Sequence, residues 1–577
     1  MSKRIVVQDY EAPTGLPKKT QSLCPECKTI IDADIIEKNG KAVMKKECDK
    51  HGKFEDVIMS DVKTYIWMES MAQDGVGLEK PFYTKKDAVC PDDCGMCVLH
   101  KSHTSLAILD LTNRCNLKCP ICFANANSAG YVYEPTYDQV VFMMETLRAQ
   151  RPVPTPAIQF SGGEPTIRTD LPKIIKKAWD LGFMQIQIAT NGITMAKDKN
   201  YVQKLVEAHL HTVYLQFDGL DDKAYVDCRG KPLAEVKKKV IENCRDIKPF
   251  RDDLNRLYQP KTLSNVLVPT IVNTINDQEV TKIFDYAIKN LDVVRGINYQ
   301  PVSFTGRIDE NELKAQRFTL SDLVDRLMET GYFEKEDFFP VPSVTPISEL
   351  TSIIQKVPKV AFTAHPHCGL ATYIYITKDD VVPITRFMDI PTFLKDTQDM
   401  VLDLTKDTAF TKLKVGTASV FSKSDKIRRS VLKRRVNKYF KPEFAPDGLD
   451  RDNITDLITN IFTGGNKEAL ADFAWNTMYI GGMHFQDSYN YDIERVKRCV
   501  IHYPAPDGRI IPFCAYNGGP FYREEVEKKY SVPIKDWIAK RRKMIADHEL
   551  DTTDLLEGVE VADDEKGEIS VGSSSNA

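Results

Sequence analysis

Asp110-Leu-Thr-Asn-Arg-Cys115-Asn-Leu-Lys-Cys119-Pro-Ile-Cys122-Phe123 follows directly on the apolar run LAILDL at 106–111. Further apolar, β-branched runs come at AIQF (157–160), QIQIAT (185–190), TVYLQF (212–217), NVLVPTIV (265–272) and GINYQPV (296–302). Helical patterns such as YDQVVFMMETLRAQ, LPKIIKKAWDLG, YVQKLVEAHL and DQEVTKIFDYAIKN lie among them. Six strands alternating with helices predict an α/β chain of parallel βαβ units. A partial (βα)6 barrel and a doubly wound sheet fit this alternation equally well.

The loop after the first strand carries the chemistry. Cys115, Cys119 and Cys122 have CxxxCxxC spacing. Most iron–sulfur clusters take four cysteines. A set of three can hold three irons of a 4Fe–4S cube and leave the fourth iron open to an outside ligand. A zinc knuckle or a plain ferredoxin-like cluster is the competing reading of the same spacing. After the second strand comes Ser161-Gly162-Gly163-Glu164-Pro165. Glycines at a strand end let the backbone approach a ligand closely, and Glu164 suits a nearby ammonium.

Fourteen cysteines in 577 residues are many, and nine fall into three close groups. Cys24, Cys27 and Cys48 with His51 form CxxC…CxxH, the spacing of a mononuclear Zn or rubredoxin-like Fe site. Such a site would staple an N-terminal module over 1–85. His51 is either its fourth ligand or a neighbour of a site completed by a distant cysteine. Cys90, Cys94 and Cys97, in a connector over 86–105, suit an auxiliary 4Fe–4S cluster, with zinc as the alternative. Cys368, Cys499 and Cys514 read as a third cluster or as extra ligands to the second. Cys228 and Cys244 read as buried packing thiols.

Lys and Arg number 78 against 82 Asp and Glu, a net charge of −4, which points away from nucleic acid. No apolar run approaches the ~18–20 residues that span a bilayer. The start, MSKRIVVQDYEAP, lacks the apolar stretch of a secretory signal. Cysteine groups without an export signal favour metal ligation in a reducing cytoplasm. Beyond the barrel (106–335), residues 336–545 read as a mostly helical, cluster-binding and substrate domain. Residues 546–577 read as an acidic, disordered tail.

CNLKCPICF followed one strand later by SGGEP resembles the radical S-adenosylmethionine (SAM) superfamily over about 106–310. The resemblance implies a partial barrel with the cluster at the C-terminal mouth of its strands. SAM would chelate the open iron, and Gly162, Gly163 and Glu164 would hold its methionine end. Thr190 and Asn191, and Gln216 and Asp218, end the third and fourth strands as candidate SAM or substrate contacts. The implied chemistry is reduction by an external low-potential donor and cleavage of SAM to a 5′-deoxyadenosyl radical, which abstracts hydrogen from an unactivated carbon. No residue stands out as a catalytic acid or radical quencher.

Longer stretches narrow the resemblance. SLCPECKTIIDADIIEKNGK, CPDDCGMCVLHKSHTSLAILDLTNRC and MHFQDSYNYDIERVKRCVIHYPAPDGRIIPFCAYN are similar to the archaeal tetraether lipid synthase group. Members of that group are also described as radical SAM methyltransferases of a hydroxymethyl dihydropterin. The first reading implies coupling the termini of isoprenoid chains of diether lipids and demands a large apolar tunnel. The methyltransferase reading demands a compact polar pocket and a separate methyl donor. A multi-cluster electron-transfer protein is the third reading. For the lipid version, the segment 423–440 is an expected peripheral membrane contact. It carries Arg428, Arg429, Arg434 and Arg435 opposite an apolar face.

Overall fold

Asn39 and Gly40 both take positive φ, 54° and 75°, in a two-residue turn. This is the hairpin turn whose twist matches that of its flanking strands. It joins β2 (Ile30–Lys38) to β3 (Lys41–Cys48); with β1 (Lys18–Leu23) and β4 (Gly52–Met59) these form an antiparallel ribbon in the order 1-2-3-4. The computed structural model describes residues 7–79, 87–405, 438–463 and 475–546. Apart from 438–440 and 546, the expected basic helix and acidic tail fall outside the described residues.

The six expected barrel strands are β5 (Leu106–Thr112), β6 (Ala157–Gly162), β7 (Gln185–Thr190), β8 (Thr212–Gln216), β9 (Ser264–Val268) and β10 (Val294–Pro301). They pair in parallel, each with the next in sequence. A doubly wound sheet would reverse its order at a switch point. This one does not, so the fold is the partial barrel. Helices pack on the outer face through apolar stripes. In Leu171–Asp180 the buried residues are Leu171, Ile174, Ile175 and Ala178, one helical face. The helix Tyr137–Ala149 starts with a capping box between Thr136 and Gln139.

Beyond residue 336 the chain is helical at Thr345–Gln355, Ile390–Thr405 and Arg451–Thr463. It also supplies strands to the barrel sheet. β11 (Gly369–Ile376) lies antiparallel to β12 (Thr477–Met483), and β12 lies parallel to β10. At the opposite edge β13 (Ile501–Pro504) runs parallel to β5, and β14 (Ile510–Pro512) turns back on it. The six strands are thereby flanked by one more parallel strand at each end.

The ribbon is fastened to this later segment. Lys46 donates to the carbonyls of Leu23 and Ser488, Ser22 to that of Tyr491, and Thr20 to the Asp492 carboxylate. Buried Arg317 joins Asp56 of the ribbon to Asp487.

Candidate active site

The C-terminal ends of β5 to β10 surround a cavity of about 460 Å³. Cys115, Cys119 and Cys122 line it, together with Gly162, Gly163, Glu164, Thr190, Asn191 and Gln216. The glycines are there because the two loops touch. A Cβ on Gly163 would stand 2.0 Å from the Arg114 carbonyl oxygen, and one on Gly162 2.2 Å from that of Thr112. No other residue could bring the strand end so near the cysteine loop.

Glu164 is 1% exposed. Its Oε1 accepts from the Thr166 hydroxyl (2.6 Å) and the Thr190 hydroxyl (2.7 Å), and its Oε2 from the Asn191 N–H (2.8 Å). Burial pushes this carboxyl above its ordinary range, against the pull of those hydrogen bonds. With a single donor on Oε2, the carboxylate keeps lone pairs for an ammonium. Asn191 in turn donates to Asn116 Oδ1 (2.7 Å), inside the cysteine loop.

Asp218 is fully buried behind the wall. The Arg229 guanidinium grips it at 2.6 and 2.8 Å, and the Thr270 N–H donates to it at 3.0 Å. Asp218 therefore reaches the cavity through Arg229, which lines it and also donates to the Ile121 carbonyl (2.9 Å). Arg229 ends the helix Asp222–Arg229 and belongs to no motif, so sequence reasoning passed over it. Gln216 is committed as well, accepting from Lys237 (2.7 Å) and donating to Asp218. Phe123, Phe485, Tyr503 and Phe513 make the aromatic side of the cavity; Phe485 and Phe513 stack at 3.8 Å.

In the ribbon, the ligand atoms of Cys24, Cys27, Cys48 and His51 lie within 4.8 Å of one another. His51 Nδ1 is 3.4 Å from Cys24 Sγ and 3.5 Å from Cys48 Sγ. Zn–S bonds of ~2.3 Å in a tetrahedron give edges of about 3.8 Å, so the four donors fit one ion.

Six of the eight remaining cysteines gather in two adjoining triads. Cys90, Cys94 and Cys97 lie within electrostatic reach of one another, as do Cys368, Cys499 and Cys514, and Cys94 feels Cys499. Buried Tyr491 adjoins both triads. Burial pushes the Cys90 thiol up to about 12 and the Cys514 thiol to about 11. At such depth the thiols stay neutral unless a cation is bound beside them, the condition under which cysteines ligate a metal. Cys228 and Cys244 are wholly buried among apolar side chains.

A barrel of this order with three cysteines and a GGE loop at its mouth is that of a radical SAM enzyme, and the chain belongs to the radical SAM superfamily, whose profile matches residues 109–287. It carries a 4Fe–4S cluster and uses SAM. Over 525 residues it is 44% identical to the 7,8-dihydro-6-hydroxymethylpterin dimethyltransferase of Methanocaldococcus jannaschii, covering 90% of this chain and 97% of that one. Residues 16–60 match the HMPTM N-terminal zinc ribbon domain. The Fe-coproporphyrin III synthase of Methanosarcina barkeri is 26% identical over 186 residues, 32% of this chain and 44% of that one. Among solved structures, Streptococcus suis SuiB bound to its precursor peptide is 18% identical over 40% of this chain and 46% of its own, at a TM-score of 0.30. Among the described residues no helix is long and apolar enough to cross a membrane.

Proposed function

We propose that the chain is a radical SAM methyltransferase acting on a hydroxymethyl dihydropterin. The observation that carries this reading is the cavity. Its 460 Å³ falls in the ~300–1,000 Å³ range of small-molecule sites, and amide side chains line its inner end. Saturated isoprenoid chains gain ~0.8 kcal/mol per CH₂ only in an apolar lining. Apolar side chains such as Val266, Val268, Ile501 and Phe513 stand beside those amides, so it is the compact volume, too small for two long chains, that makes lipid coupling the weaker reading. The full-length likeness to a pterin dimethyltransferase points the same way.

When bound, the cluster and SAM supply a 5′-deoxyadenosyl radical able to take hydrogen from an unactivated carbon. Around them, Cys115, Cys119 and Cys122 would hold three irons, and Glu164 would accept the SAM ammonium. Arg229 fixes the inner edge of the cysteine loop through the Ile121 carbonyl. The aromatic wall excludes water, which keeps a reactive species from side reactions. The ribbon would hold its zinc with Cys24, Cys27, Cys48 and His51, and the two rear triads would hold auxiliary clusters.

Anaerobic turnover of the reconstituted, reduced protein with SAM, a methyl donor and 7,8-dihydro-6-hydroxymethylpterin tests the reading by mass spectrometry. A pterin carrying one or two added methyl groups supports it. Unchanged pterin, with dehydrogenated and joined chains from an archaeal diether lipid, overturns it in favour of lipid coupling.

A further inference from the structure

The interior of a parallel barrel is ordinarily filled with branched apolar residues. Here three of the strands turn amides inward. Gln159 of β6, Gln187 of β7 and Asn298 of β10 line the cavity together with the Tyr214 hydroxyl of β8. Gln187 Nε2 donates to Gln159 Oε1 at 2.6 Å, and Asn298 donates to the Tyr214 hydroxyl.

These two pairs leave capacity unspent. Gln159 Nε2, Gln187 Oε1 and Asn298 Oδ1 have no protein partner among the described residues, although the three side chains are only 6%, 9% and 5% exposed. All three side chains line the cavity, so a ligand with matching donors and acceptors can take the place of water there.

The geometry points to this amide belt as the recognition site for the hydrogen-bonding edge of the substrate's ring, a 2-amino-4-oxopyrimidine or a heterocycle of the same donor–acceptor pattern. Such an edge carries an amino group and a ring N–H as donors and a carbonyl oxygen as acceptor. Gln187 Oε1 and Asn298 Oδ1 are acceptors, and Gln159 Nε2 is a donor. The belt lies deeper in the barrel than the cysteine loop. A ring seated on it would turn its other end toward Glu164 and the cluster, where hydrogen is removed. This inference rests on the pterin reading and assigns its specificity to particular side chains.

The test is a ratio of affinities, which incomplete folding does not move. The reconstituted protein is titrated anaerobically with 6-hydroxymethylpterin and with its 2-oxo analogue, which lacks the amino donor, following ligand fluorescence. The wild type is expected to prefer the amino compound by about ten-fold or more, because a site built around a polar group rejects the analogue lacking it. Gln187→Leu and Asn298→Leu are each expected to bring the ratio to about one, and Gln159→Leu to weaken both ligands together. A preference kept in both acceptor variants overturns the belt while leaving the methyltransferase reading intact. Failure of the wild type to bind either ligand overturns the functional reading, and the belt with it.

Discussion

The backbones of Cys122 and Arg307 are hydrogen-bonded in both directions, N–H to carbonyl, at 2.9 Å each way. The loop after β10 thus grips the last cysteine of the catalytic loop. Close approach is possible because the preceding residue is Gly306, at φ +70°, where a Cβ would stand 2.5 Å from the carbonyls of Cys122 and Phe123. Gly306→Ala is expected to cost about 1–3 kcal/mol in local strain and to push the loop outward. Iron analysis and low-temperature electron paramagnetic resonance would show a reduced catalytic cluster signal. A wild-type signal that still responds to SAM would contradict this.

Arg317 is buried between the carboxylates of Asp56 and Asp487. Arg317→Met would leave two buried carboxylates facing each other without a cation. A destabilisation of about 3–5 kcal/mol is expected, read as a lower thermal midpoint under anaerobic conditions. Little change would mean that the pair protonates at small cost.

Lys237 is fully buried, and burial lowers it to about 7, with its Nζ donating to Gln216 and to the Asn191 carbonyl. In the unfolded chain it titrates near 10.4. Between these values the unfolded state binds the extra proton, so this residue makes stability rise with pH from about 7 to about 10. Lys237→Met is expected to remove that slope. Thermal midpoints of both proteins across this window measure it, and parallel curves would refute it.

His51 Nδ1 stands as near to Cys24 and Cys48 as a shared ion requires. His51→Ala is expected to lose zinc to a chelator at least about ten-fold faster than the wild type. Protease cleavage within 16–60 should follow the metal loss. Equal retention would assign the fourth position to another donor.

Much of this was legible in the chain. QIQIAT at 185–190 is β7 residue for residue, and the cysteine loop announced itself because ligands three and four apart need no tertiary information. NVLVPTIV was read as one strand but is interrupted at Pro269, giving β9 and a separate Thr270–Ile271 pair. The flanking strands were not foreseen. β13 is only Ile-His-Tyr-Pro, and β12 contains Gly481 and Gly482, so neither shows a strong pattern. The amide belt was hidden for a different reason. In a parallel sheet covered on both sides, alternation does not reveal which face is interior, so Gln159, Gln187 and Asn298 looked like any polar residue in a strand.

The parallel pairing of β13 with β5 has a consequence in time. During synthesis the catalytic cysteines emerge early, while the strand that walls them in is made close to the end. Until Ile501 and His502 dock against Leu106 and Ala107, the first half of β5 keeps an unpaired edge on that side. An unpaired strand edge is a template for wrong pairing, so this late segment is what protects the nascent barrel from associating with other chains.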